Sequence, residues 1–183
     1  MSEPLPRPWT VEDFLAWERT QEERYEFVDG RIRMMVGGSN AHTTIKGNVF
    51  AALRARLRGG PCRALAEGTK VVTAQGGLYP DASVVCGAID LTEDHIREPV
   101  VVVEVLSRST ADYDRSAKWV AYREIPTLRH YVLVAQDRRR VEVFGREGEA
   151  WSLRIVEPPA AAVVLPALGI ELTLDEIYED SGT

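Results

Sequence analysis

Hydrophobic and polar positions along this chain repeat with two periods, and the switches between them mark its elements. After a proline-rich start (Pro4, Pro6, Pro8), Val11, Phe14 and Leu15 give a short helix its apolar side. Thr10 caps that helix, with Asp13 in a capping-box position. The stretch RYEFVDGRIRMMV alternates on both sides of Asp29-Gly30, a pair that favours a two-residue hairpin turn. Ile45, Val49, Leu53 and Leu57 then recur at helical spacing behind Ser39 or Asn40, and Gly59-Gly60 stops the helix. ALAEGTKVVTAQGGLYPDASVVCG predicts two strands joined near Gly76-Gly77. Val100 to Leu106, between Pro99 and Ser107, predicts a central buried strand. TADYDRSAKWVAYREI predicts a helix of about four turns, closed by Pro126. LRHYVLVA and RVEVFG predict a hairpin across Asp137 to Arg140, and WSLRIV an edge strand. LTLDEIYED predicts a short last helix capped by Thr173, with Glu176 in the box position.

This order predicts a mixed central β-sheet flanked by helices with additional hairpins, of the α/β (α+β mixed) class. The 183 residues fit one domain over 1–183, with residues 1–9 as a loose arm. Hydrophobic residues make up 45% of the chain, enough for a core without disulfides. Cys62 and Cys86 have neither metal nor redox spacing, and no signal-peptide pattern precedes them. A cytoplasmic protein without a disulfide framework is the simplest expectation. The apolar runs are too short to span a bilayer. A net charge of −6 means that any polyanion must be met by a local patch. Arg54, Arg56 and Arg58 on the second helix are the candidates for nucleic-acid contact, together with Ser107, although such arginines are commonly just a solvated face.

The strand Val100 to Leu106 carries an acid, Glu104. A lone ionised carboxylate in an apolar setting is costly unless paired or bound to a metal. Asp81 follows Pro80 at the start of another apolar stretch. If the two strands pair, the acids come within a few ångström of each other. One then stays protonated, or a divalent cation bridges them. Asp114, Lys118 and Tyr122 recur every fourth residue and share one helix face, so Lys118 can point back at the acids. Simpler readings stay open: Asp81 capping a turn, Glu104 in a structural ion pair, and Lys118 as a solvated helix residue. Ser107 and Ser109 can hydrogen-bond locally or cap the helix.

YPD, then VVVEVLSRST, then the Asp114, Lys118, Tyr122 series resembles the Uma2 family of restriction-endonuclease-like proteins, within the PD-(D/E)XK nuclease superfamily. TVEDFLAWE, RYEFVDGRI, SNAHTTI and IPTLRHYVLVAQDRRRVEVF extend the resemblance over most of the chain. The resemblance implies a restriction-endonuclease-like fold and metal-assisted hydrolysis of DNA phosphodiester bonds. Asp81 takes the motif's aspartate and Glu104 its second acid. The chain departs at Leu106, where the superfamily pattern has lysine, and Lys118 is the candidate replacement. Asp81, Glu104 and the main-chain carbonyl of Val105 would hold Mg²⁺, with Mn²⁺ able to substitute. Glu26 and His42 match polar family positions as further metal or phosphate contacts, and Asp114 and Tyr122 join them in a second tier. A homodimer is expected, since double-strand cutting from one site per chain needs two copies. Leu106 and the negative net charge also support an alternative, a non-catalytic nucleic-acid-binding or assembly module on the same fold.

Overall fold

Three sheets carry the chain in the computed structural model, which describes residues 8–35, 37–107 and 110–183. Helix α1 (Val11–Glu18) opens with the expected capping box: Asp13 N–H donates to Thr10 Oγ1 at 3.1 Å, and Thr10 N–H to Asp13 Oδ2 at 2.9 Å. Strands β1 (Tyr25–Val28) and β2 (Arg31–Met34) turn on Asp29 and Gly30, whose φ values are 51° and 69°. With β4 (Lys70–Thr73), β5 (Gly76–Leu78) and β7 (His95–Ile96) they form the sheet β2-β1-β5-β4-β7.

The larger sheet combines β3 (Cys62–Ala66), β6 (Ala82–Cys86), β8 (Val101–Leu106), β9 (His130–Ala135), β10 (Val141–Glu147) and β11 (Ala150–Val156). Its order is β11-β10-β9-β8-β6-β3, with β8 parallel to β9 and antiparallel to β6. Both faces of β8 are covered, which is why four valines run together there. Val101, Val103 and Val105 pack with Ile45, Val49 and Leu53 of α2 (Asn40–Leu57). Val102 and Leu106 pack on the other face with Ala121, Tyr122 and Tyr131. The helix after β8 is laid down in three parts: α3 (Ala111–Tyr113), a π turn over Asp114–Lys118, and α4 (Trp119–Arg123). A third sheet, β12 (Ala162–Leu165) with β13 (Ile170–Thr173), leads into α5 (Leu174–Tyr178) with its Thr173–Glu176 capping box.

Several expectations change. Residues 62–86 form four strands where two were expected, and Gly76-Gly77 lie inside β5 with the turn before them at Ala74-Gln75. A Cβ on Gly76 would fall 1.6 Å from the Phe27 carbonyl oxygen, so the glycine serves strand approach. The expected four-turn helix is interrupted by the π turn. The β12-β13 hairpin had no clear signal. Cys62 and Cys86, expected to be free, are register partners of β3 and β6 and are joined by a disulfide. Their sequence separation carries no signal; only the antiparallel register brings them opposite. Most of the N-terminal arm and Ser109 lie outside the described residues, while Trp9 packs edge-on against Trp17 at 5.4 Å. No described helix is long and apolar enough to cross a membrane.

Candidate active site

Strand register builds the site. Ala82 pairs with Val103, and continuing that register by one position sets Asp81 beside Glu104. Val105 N–H donates to Asp81 Oδ2 at 2.7 Å, which fixes the carboxylate against β8. Asp81 Oδ1 faces His42 Nε2 at 3.4 Å and Lys46 Nζ at 3.7 Å, both from α2. Ser39 caps that helix by accepting from His42 N–H, which places the histidine in the first turn. Lys46 also pairs with Glu67.

The second half of the site comes from the helix after β8. Lys118 Nζ stands 2.9 Å from Glu26 Oε1, 3.0 Å from Glu104 Oε1 and 3.4 Å from Asp114 Oδ1. Tyr122 Oη donates to Glu104 Oε1 at 3.2 Å, and Tyr79 N–H to Glu26 Oε1 at 3.0 Å. Lys118 and its three carboxylates are buried, so the ion pairs are shielded from solvent. The π turn from Asp114 to Lys118 contributes both charged ends of this cluster, and such local widenings of a helix recur at functional sites.

Burial pushes the Glu104 carboxyl well above the usual range; Asp114, Asp81 and Glu26 add to the rise while Lys118 opposes it. Burial likewise raises Asp114. Burial disfavours the Lys118 ammonium, yet Glu104, Glu26 and Asp114 outweigh it and hold its pKa well above the ordinary value. The two directions agree physically: one ammonium is shared among three carboxylates, so the amine stays charged and an acid is the seat for any extra proton. Asp81 differs. Burial works to raise it, but the hydrogen bond and charge of His42, the Val105 N–H and Lys46 bring it below the ordinary range. Two neighbouring acids are thereby pushed apart in proton affinity.

These groups line one cavity of about 530 Å³, which Asp81, Glu104, Val105, Glu26, His42, Asp114, Lys118 and Ser107 all border. Tyr122 lies fully buried behind it. Ser107 and Thr110 bond each other before α3, Thr110 N–H donating to Ser107 Oγ at 3.2 Å. Arg54 and Arg56 of α2 are elsewhere, as is Arg58, expected on the helix but extended just past its end. Arg54 and Arg58 border a separate groove with Arg63, and Arg56 donates from Nη2 to both Glu176 carboxylate oxygens at 2.7 Å. The cavity's arginine is instead Arg33 of β2, whose guanidinium lies 4.4 Å from the Tyr113 ring centre. Sequence reasoning missed Lys46 and read Arg33 only as a cross-strand charge partner of Glu26. Lys46 had a signal, four residues after His42 on one helix face. Arg33 had one too, across the hairpin from Glu26.

Carboxylate and carbonyl oxygens at Asp81, Glu104 and Val105 form a hard donor set. The surrounding acids outnumber the nearby ammonium groups, so these residues suit a hard divalent cation. Among the described residues, the trio of histidine and acid ligand atoms that converges within 4.8 Å is Glu93, Asp94 and His95 at the surface, away from this cavity.

Comparison with known proteins agrees with this architecture. The Uma2 family model, described as "Putative restriction endonuclease", matches residues 11–175. "Uncharacterized protein slr1290" of Synechocystis sp. (strain ATCC 27184 / PCC 6803 / Kazusa) is 32% identical over 180 residues, covering 97% of this chain and 94% of that protein. "Uncharacterized protein sll1609" of the same organism is 27% identical over 145 residues, covering 76% and 82%. The crystal structure of "a putative nuclease belonging to DUF820" from Anabaena variabilis ATCC 29413 superposes with a TM-score of 0.79 at 16% identity, covering 93% of this chain and 98% of that one. At that identity the likeness shows a shared nuclease-like fold. From the first helix into the last, then, the chain carries one family's pattern on that family's scaffold: it belongs to the Uma2 family of restriction-endonuclease-like proteins.

Proposed function

We propose that this protein is a Mg²⁺-dependent endonuclease that hydrolyses phosphodiester bonds of DNA. Asp81, Glu104 and the Val105 carbonyl would hold the ion, with Mn²⁺ able to replace it. The bound cation would supply neutralisation of the scissile phosphate and activation of the attacking water. The protein's own groups do the rest. Asp81, held ionised by His42, Lys46 and the Val105 N–H, is the acid ready to bind a cation at neutral pH. Lys118 stays charged and stabilises negative charge as it grows on the phosphate. Glu26 and Asp114 hold its ammonium from two further sides, and Tyr122 orients Glu104 through its hydroxyl. Arg33 and Ser107 border the cavity and would meet phosphates of the strand, a role for which Arg54, Arg56 and Arg58 are less well placed.

The observation that carries this reading is the Lys118 ammonium within 3.0 Å of both Glu26 and Glu104, on the same cavity as Asp81. Purified protein incubated with supercoiled plasmid and Mg²⁺ or Mn²⁺ is expected to nick and linearise it. Asp81→Ala and Glu104→Ala should each lose about 100-fold or more of that activity. Cleavage that persists in both variants would overturn the assignment.

A second reading rests on Leu106, buried where the superfamily pattern places lysine. A binding or assembly module without chemistry would retain DNA with steep salt dependence and never cut it. Sedimentation in the same buffers tests the companion proposal that the working form is a dimer.

A further inference from the structure

A second cavity, of about 540 Å³, lies across the large sheet from Glu104. Strand alternation puts His130 on the face of Val132 and Val134, opposite to that of Tyr131 and Leu133. Val143, from the same face, borders the cavity with it. Gly145 forms the floor, paired with His130 on β9 and Ser152 on β11. Its backbone does not demand glycine, because its φ lies outside the left-handed region. Nor would a Cβ clash: it would meet Ser152 Oγ at 3.6 Å and His130 Nδ1 at 3.7 Å, ordinary contacts. Glycine inside a strand weakens it and often marks a place where a ligand comes close. What the missing side chain provides here is room.

His130 faces that room with an unused donor. The residue is only 7% exposed. Ala167 N–H donates to its Nε2 at 3.3 Å, so the neutral ring carries its proton on Nδ1. That Nδ1 is buried and has no hydrogen-bond partner. A buried donor left unmade is unfavourable, and a native structure keeps one for a reason.

The cation on the His130 face is Arg154, the register partner of Val143. Arg129 and Arg146 border the cavity too, but they alternate with His130 and Gly145 along their strands; one carboxylate, Glu147, also borders it. Arg154 Nη2 donates to the Val164 carbonyl, and Arg146 Nη2 to the carbonyls of Arg123 and Ile125. The Arg146 guanidinium also lies over the Trp151 ring at 4.7 Å, on the Tyr131 side of the sheet, so it is no donor here, whereas Arg154 keeps further N–H groups on the His130 side. Glu147 is engaged by the Ser152 hydroxyl at 2.8 Å.

We propose that this cavity binds the terminal phosphate of a small phosphorylated ligand, with His130 Nδ1–H and Arg154 as donors. A phosphate must enter a recess to reach Nδ1, so a monoester end fits and a phosphodiester inside a continuous strand does not. The inference is independent of phosphodiester cleavage.

Calorimetric titration of the full chain with inorganic phosphate and with adenosine 5′-monophosphate tests it, alongside the imidazole nitrogen signals of His130 in NMR spectra. Saturable one-to-one binding and a shifted Nδ1 resonance are expected. Arg154→Met and Gly145→Val should each weaken binding about tenfold or more, with Gly145→Ala as the milder cavity filler if valine disturbs the strand. Asp81→Asn should bind as the wild type does. A duplex with 5′-phosphate ends that competes, while its 5′-hydroxyl twin does not, would identify the ligand as a nucleic-acid end; competition by the nucleotide alone would identify a free nucleotide. No saturable binding at millimolar concentration, or binding that the Arg154 and Gly145 variants leave unchanged, would overturn the proposal.

Discussion

Lys118 is a single amine facing three buried carboxylates, and that arithmetic governs what its loss would do. Lys118→Met strands Glu26, Glu104 and Asp114 without their cation. Removing one partner of a buried pair costs about 3–5 kcal/mol, so the variant should unfold at clearly lower urea concentration. Adding Glu26→Gln to that variant should recover part of the loss; an additive result would show that the two groups are not coupled. Much of this was legible beforehand. An acid inside a valine run asks for a partner, and a lysine at helical spacing answers it. Lys46 was not read in advance, and Arg33 only as a charge partner of Glu26, because Asp81 and the Tyr113 ring become their neighbours only when a helix and a hairpin close over the sheet.

Among the elements, α5 shows how a short helix of five residues is held from its first turn. Glu176 closes the capping box with Thr173 and takes Arg56 from α2. The Arg56 guanidinium, then the Thr173 N–H and hydroxyl, draw its carboxyl down from 4.5 to about 2. A depressed acid stabilises the fold fully above its unfolded value and loses that contribution as pH falls through the folded one. The window is therefore pH 4.5 down to about 2. Glu176→Gln should flatten the acid limb of a stability–pH curve in that window, by a modest amount since the group is solvated. Thr173→Ala should cost about 1 kcal/mol in a chemical melt. Both capping boxes were visible as spaced polar residues before apolar runs. The four short strands of residues 62–86 were not, because a glycine pair ordinarily signals a turn. Here β1 passes so close to Gly76 that no side chain fits. The β12-β13 hairpin was hidden for a different reason: its reversal uses a 3-10 turn, Pro166–Leu168, ended by Gly169 at φ 64°, in a stretch whose prolines suggest no strand.

On the scale of the whole molecule, α2 and the helix after β8 cover opposite faces of β8, and the cavity gathers side chains from both. The Cys62–Cys86 bridge ties β3 to β6, the strand that begins just after Asp81. Closing a loop of that length stabilises by about 3 kcal/mol through the unfolded chain. The double variant Cys62→Ala/Cys86→Ala should lose about that amount in equilibrium unfolding; an unchanged midpoint would mean that strand pairing alone holds β3. The π turn has a consequence of another kind. A helix with a widened turn sets the angular phase of everything it carries, so what Lys118 offers is a matter of phase as much as composition. Exchanging it with its neighbour, as Ala117→Lys/Lys118→Ala, keeps every atom count and swings the amine by roughly a quarter turn around the axis. Such a shuffle should abolish the proposed cleavage while leaving charge, mass and hydropathy untouched.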